Sequence, residues 1–135
     1  MKTVDESAAA IREKISSRRI AIVDDDASIR EALENLMRSV RFRVDTFRSA
    51  EDFLASEHVS HTACLILDVY LPGMGGFELQ SHLNKLSRGI PIVFITAHAD
   101  ERMKQKALKG GAIAFLSKPV RRETLFNAIH SALAR

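Results

Sequence analysis

From residue 20 onward, short apolar runs alternate with stretches whose apolar residues recur every three or four positions. The runs are residues 20–23 (Ile-Ala-Ile-Val), 63–67 (Ala-Cys-Leu-Ile-Leu), 92–95 (Ile-Val-Phe-Ile) and 112–116 (Ala-Ile-Ala-Phe-Leu). Their lengths suit strands, and residues 43–47 form a weaker, polar-interrupted one. Between the runs, Ile29, Ala32, Leu33, Leu36, Met37 and Val40 fall at helical spacing. So do Leu79, Leu83 and Leu86, then Met103, Ala107 and Leu108, and finally Leu125, Ile129, Ala132 and Leu133. A shorter helix with Phe53 and Leu54 opens at Ser49, an N-cap with the acidic Asp52 three residues on. Pro72 to Gly76 form a turn, and Gly110-Gly111 stops the fourth helix.

Five strand–helix units with near-continuous apolar strands predict an α/β domain with a parallel sheet covered on both faces. A flavodoxin-like (βα)5 doubly wound sheet of order 2-1-3-4-5 fits, with the polar second strand at an edge, and its chemistry lies beyond the carboxyl ends of the strands. The domain takes residues 19–135. Residues 1–18 stand apart as a leader. Val4, Ala8, Ile11 and Ile15 share one helical face there, so it reads either as frayed or as a short helix packed on the domain or on a second copy.

At 135 residues the chain has room for one core and little else. The lone Cys64 excludes an internal disulfide and reads as an inert buried thiol, consistent with a reducing cytoplasm. The longest apolar runs, five residues each, fall far short of the roughly 20 that span a bilayer. No apolar signal core opens the chain, and Asp5, Glu6 and Glu13 argue against a transit peptide. The expected location is cytoplasmic. The net charge of +3 hides an asymmetry: residues 1–68 hold ten Lys/Arg against thirteen Asp/Glu, and residues 69–135 hold ten against four.

The strand ends carry the candidate chemistry. The first ends in Asp24-Asp25-Asp26, the third in Asp68, the fourth in Thr96 and the fifth in Lys118-Pro119. Two carboxylates about 4–5 Å apart repel by roughly 3–4 kcal/mol at an effective dielectric near 20, and one cation cannot balance three acids. Oxygen ligands without His or Cys suit a hard divalent ion, and magnesium takes one or two carboxylates while leaving positions for phosphoryl oxygens. Thr96 and Lys118 can hydrogen-bond and pair with such a group.

These residues resemble the receiver domain of bacterial two-component response regulators. The matching stretches are Ile20-Ala21-Ile22-Val23-Asp24-Asp25, Leu65-Ile66-Leu67-Asp68-Val69-Tyr70-Leu71-Pro72-Gly73-Met74, Phe94-Ile95-Thr96-Ala97 and Phe115-Leu116-Ser117-Lys118-Pro119, across residues 19–134. The resemblance implies that Asp68 takes a phosphoryl group from a sensor histidine kinase, a phosphotransfer protein or a small acyl phosphate. It implies that Mg²⁺ is held by Asp25, Asp68 and the Tyr70 carbonyl, with Asp24 acting largely through water. Thr96 and Lys118 would contact phosphoryl oxygens, Thr96 and Phe115 would form the switch, and Lys118-Pro119 would be cis. The chain would then be a phosphoacceptor with self-catalysed phosphorylation and dephosphorylation rather than an enzyme. Departures are Gly75 for the commoner Asp or Asn, Phe115 for Tyr, and Asp26 for Glu, with Asp26 expected to cap the next helix. Tyr70 and His98 occupy positions that influence phosphoryl lifetime in this family.

Plainer readings stand beside these. Asp24–Asp26 could be a helix cap with solvated neighbours, and Phe115 a core aromatic. Gly73-x-Gly75-Gly76 lacks the Lys-Ser/Thr of a P-loop. His58, His61, His82, His98 and His130 lack metal-ligand spacing. An aspartyl-phosphate phosphatase of haloacid-dehalogenase type would want an acid two residues after the nucleophile, where Tyr70 stands. A nucleic-acid-binding module would use Arg102, Lys104, Lys106, Lys109, Arg121 and Arg122, but no DNA-reading motif accompanies them. That basic surface reads as a plain solvated face or, in preference to nucleic acid, as a docking surface on the fourth and fifth helices for a downstream acidic protein partner or a second copy. No membrane contact or direct nucleic-acid binding is expected.

Overall fold

In the computed structural model, residues 18–86 and 89–134 are described, and all but the last residue of the leader lies outside them. Strands β1 (Arg19–Val23), β2 (Arg43–Phe47), β3 (Thr62–Leu67), β4 (Ile92–Thr96) and β5 (Ala114–Ser117) alternate with helices α1 (Ala27–Ser39), α2 (Ala50–Ala55), α3 (Gly76–Lys85), α4 (Glu101–Lys109) and α5 (Arg122–Leu133). The strands are parallel in the order β2-β1-β3-β4-β5, so the polar strand does lie at an edge.

Alternation along the strands sends successive side chains to opposite faces. Ile20, Ile22, Cys64, Ile66, Val93 and Ile95 pack with Leu33 and Met37 of α1 and Leu125 and Ile129 of α5. Ala21, Val23, Leu65, Leu67, Ile92 and Phe94 pack with Phe53 of α2, Leu79 and Leu83 of α3 and Ala107 of α4. With both faces covered there is no polar alternation, which is why the strands read as unbroken apolar runs. Each fully buried Ile, Leu or Phe contributes on the order of 1.5–3 kcal/mol, enough to fix the register against a slip.

That register sets up the site. Val23 lies beside Leu67 and Leu67 beside Phe94, so the strands leave the sheet together at their carboxyl ends. Asp26 caps α1 as expected, its Oδ1 accepting from the N–H groups of Ser28 and Ile29 at 2.9 and 3.2 Å. Ser49 caps α2 through the Asp52 N–H at 3.0 Å. Val40, Leu86 and Leu108, whose spacing marked helices, are 40%, 51% and 39% exposed. They stand at the C-caps of α1 and α3 and in the last turn of α4, where the helical stripe has passed the edge of the core. The last strand begins two residues later than its apolar run, because Gly111 turns the chain at φ +98° and the Ala112 N–H still bonds the Ala107 carbonyl.

Gly76 shows how closely α3 approaches the end of β3. Its N–H donates to the Val69 carbonyl at 2.9 Å, and a Cβ there would collide with the Asp68 carbonyl oxygen and lie 2.9 Å from Val69 Cα. Intrinsic propensity favours alanine over glycine in a helix. Here the collision is with backbone, so Gly76→Ala is expected to destabilise by about 1–3 kcal/mol, as overpacking does. Thermal denaturation checks this: an unchanged or raised Tm would show that α3 stands off from β3.

Candidate functional site

The carboxyl edge of the sheet gathers four side chains from four strands. Asp24 follows β1, Asp68 follows β3, Thr96 ends β4, and Lys118 follows β5 directly, just ahead of the cis Lys118–Pro119 bond. Asp24, Asp68 and Thr96 are buried. Ligand oxygens of Asp24, Asp25 and Asp68 all lie within 4.8 Å of one another, with Asp25 exposed at the rim.

The two buried carboxylates are held alike. Lys118 Nζ donates to Asp24 Oδ2 at 2.7 Å and to Asp68 Oδ2 at 2.8 Å. The remaining oxygens accept backbone N–H groups, Asp24 Oδ1 from Asp26 at 2.9 Å and Asp68 Oδ1 from Tyr70 at 3.2 Å. Sequence reasoning missed Arg30, whose Nη1 donates to the Asp24 carbonyl oxygen at 2.7 Å. The signal was its place in the first turns of a helix capped by Asp26, since long helical side chains lean toward the N-terminus.

Burial pushes the Asp24 carboxyl above the ordinary carboxylate range, and repulsion from Asp68 adds to it. Hydrogen bonds from Lys118 and the Asp26 N–H oppose the shift without cancelling it. For Lys118 burial pulls the ammonium down, but its bonds to Asp24 and Asp68 outweigh this and raise it. Cys64, buried within β3, is pushed up to about 12 by burial and is inert at neutral pH.

Thr96 is fully buried, and its Oγ1 has no hydrogen-bond partner among the described residues. An orphaned buried hydroxyl costs roughly 1–3 kcal/mol, so it marks a place where a polar group is wanted. Three carboxylates around one ammonium, with no thiol or imidazole among them, fit a hard divalent cation. Among the described residues this is the one acidic cluster of that kind.

Tyr70 lends its N–H to Asp68, while its side chain is exposed, with the hydroxyl 3.6 Å from Met103 Sδ and the ring 6.3 Å from that of His98. Phe115 is buried with its ring 6.2 Å from that of Phe94, which lies 5.3 Å from that of Phe77. Lys106 Nζ sits 4.6 Å above the Phe77 ring. Arg102, Lys104, Lys106, Lys109, Arg121 and Arg122 are all exposed. Beside the pocket, Lys118 also lines a cleft of about 490 Å³ walled by Ile29, Leu33, Leu36 and Val120.

A carboxyl with a raised value in the folded state contributes stability that is present below its unfolded value, near 3.8, and lost as pH rises through the folded one. At neutral pH the ionised Asp24 is therefore a cost. Asp24→Asn is expected to raise the metal-free Tm by roughly 2–4 °C, the response to about 1 kcal/mol. Lys118→Met, which strands two buried carboxylates, is expected to lower it by more. Calorimetry without divalent ions reads both, and a fall in Asp24→Asn would mean that the Lys118 pair outweighs burial.

Residues 20–130 match the response regulator receiver domain family. The chain is 47% identical over 116 residues to nodulation protein W of Bradyrhizobium diazoefficiens, covering 86% of this chain and 51% of that protein. It is 46% identical over 114 residues to response regulator protein TodT of Pseudomonas putida, covering 84% and 50%. It thus spans about half the length of these curated relatives. Among solved structures, response regulator StyR superposes with a TM-score of 0.79 at 49% identity, over 87% of this chain and 60% of that one. The BeF3-activated receiver domain of DrrB gives 0.78 at 29% identity, over 87% and 98%. With the acidic pocket standing at the carboxyl edge of a 2-1-3-4-5 sheet, the chain belongs to the response regulator receiver domain family of two-component signalling.

Proposed function

We propose that this receiver is a magnesium-dependent phosphoacceptor switch with Asp68 as the acceptor. The observation that carries the reading is the Lys118 ammonium shared between Asp24 and Asp68 at 2.7 and 2.8 Å, beside the unpartnered Thr96 hydroxyl. Asp24, Asp25, Asp68 and the Tyr70 carbonyl would hold Mg²⁺. The ion supplies positive charge that lowers repulsion between the carboxylates and an incoming phosphoryl group.

In the transfer, an Asp68 carboxylate oxygen bonds to phosphorus as the bond from phosphorus to the donor imidazole nitrogen breaks, and the imidazole leaves. Lys118 pairs with one phosphoryl oxygen, and the Thr96 hydroxyl donates to another, which ends its isolation. The apolar cleft walled by α1 and the β5–α5 loop adjoins Lys118 and suits the docking of a histidine kinase or phosphotransfer protein. The switch pairs Thr96 with Phe115: movement of the hydroxyl toward the phosphoryl group alters the packing of the aromatic behind it. The exposed cations of α4 and the start of α5 then present a changed surface to an acidic protein partner or a second copy.

Acetyl phosphate or beryllofluoride with magnesium should modify or stabilise the wild type, and Asp68→Asn should abolish the response. Intact-mass measurement reads the covalent product, and a phosphoryl group persisting in that variant would place the acceptor elsewhere. Magnesium alone should raise the Tm, since a ligand at ten times its dissociation constant contributes about 1.4 kcal/mol. No shift at millimolar magnesium would show that the acidic cluster is not a metal site.

A further inference from the structure

The segment joining β3 to α3, residues 68–75, carries both Asp68 and the Tyr70 carbonyl. At its start the Asp68 N–H donates to the Val23 carbonyl of β1 at 3.1 Å. Its other backbone ties are to near neighbours: Tyr70 N–H to Asp68 Oδ1, Gly76 N–H to the Val69 carbonyl, Leu79 N–H to the Gly75 carbonyl, and a long 3.5 Å bond from Gly75 N–H to Glu78. Beyond Glu78 of the adjoining α3, one side chain among the described residues hydrogen-bonds this backbone from another element. It is Glu51, in the first turn of α2, whose Oε2 accepts the Met74 N–H at 2.9 Å.

The loop is shaped around that carboxylate. Gly73 adopts φ +76°, a conformation glycine takes without penalty, and a Cβ there would meet Glu51 Oε2. The turn at Gly73 therefore leaves the carboxylate in place and delivers the next N–H to it. Hydrogen bonds from Met74 N–H and from its own N–H hold the Glu51 carboxyl below its ordinary range, so the acceptor is ionised at neutral pH.

We propose that Glu51 is a positioning residue for the phosphoacceptor site, fixing from α2 the backbone that presents the Tyr70 carbonyl beside Asp68. The role rests on the phosphoacceptor reading above. Glu51 touches neither donor nor metal; it acts through Gly73 and Met74. The far part of the β3–α3 loop is thereby tied to α2, in addition to the bond from Asp68 N–H to β1 at its start.

Glu51 is exposed, so Glu51→Ala and Glu51→Gln both leave the core intact. The chain has one tyrosine and no tryptophan, so its intrinsic fluorescence reports Tyr70 at the site and can follow magnesium titration. Glu51→Ala should weaken magnesium binding about tenfold, the lower end for outer partners of metal ligands, and slow modification by acetyl phosphate. Glu51→Gln keeps an oxygen acceptor and should restore most of both. In metal-free protein, exchange of the Met74 amide should quicken in Glu51→Ala and stay near wild type in Glu51→Gln. An alanine variant that binds magnesium like the wild type overturns the positioning role, as does a glutamine variant as weak as alanine. Wild type that neither binds magnesium nor accepts a phosphoryl group would instead sink the phosphoacceptor reading, while the Met74 exchange still reports whether Glu51 holds the loop.

Discussion

Lys118 reaches Asp24 and Asp68 across 94 and 50 positions of sequence, and this bridged pair depends on nearly everything else in the fold. No local preference could bring these groups together. The pair forms because Val23 and Leu67 are neighbours in register and because β5 closes the sheet two strands away from β3. One ammonium cannot neutralise three carboxylates, and burial makes the surplus more expensive. The apolar clusters on the two faces of the sheet hold the acids in place against that repulsion. That surplus is what fits the pocket to a hard divalent cation, whose charge would relieve what folding imposes.

From the pocket a packed path leads outward. Thr96 pairs with Ser117 and Phe94 with Phe115 across β4 and β5, so the orphaned hydroxyl and the buried aromatic belong to one strand pair. Phe94 in turn meets Phe77 of α3, and Lys106 of α4 lies over that ring. Gln80 and Asn84 of α3 donate to the carbonyls of Ala107 and Gly110 at 2.9 Å, tying α3 to the C-terminal end of α4. Spatial continuity alone does not make a signal, which needs an element with two arrangements. In the proposed function that element is the Thr96–Phe115 pair, and the α3–α4 ties decide how far its movement carries.

Much of this was legible in the sequence for identifiable reasons. A parallel sheet covered on both faces writes its strands as unbroken apolar runs, so strand ends can be located and the residues just beyond them read as a set. Asp26 and Ser49 were legible as caps because capping is local chemistry. Arg30 and Glu51 were not, because each acts on the backbone of another segment and leaves no periodic trace. Gly76 reads as a turn residue in sequence, and only the proximity of the Asp68 carbonyl shows why a side chain is excluded. Val40, Leu86 and Leu108 misled for the opposite reason: apolar spacing persists to the ends of helices whose last turns overhang the core. Phe115 stays common to two readings, since a core aromatic and a switch aromatic are both buried.

The charge asymmetry between the halves of the chain takes its meaning from this geometry. Asp24, Asp25 and Asp68 place the acidic excess of the first half at one point, the carboxyl edge of the sheet. Of the basic residues in the second half, Lys118 turns into that point, while those of α4 and the start of α5 remain exposed. A phosphoryl group would deepen the negative charge at the edge, so under the proposed function the two signs are the input and output of one domain rather than a footprint for nucleic acid. Screening limits direct attraction between them to about 8–10 Å, so under the proposed function influence on the basic surface would travel through packing, for which the Phe115–Phe94–Phe77 contacts offer a route.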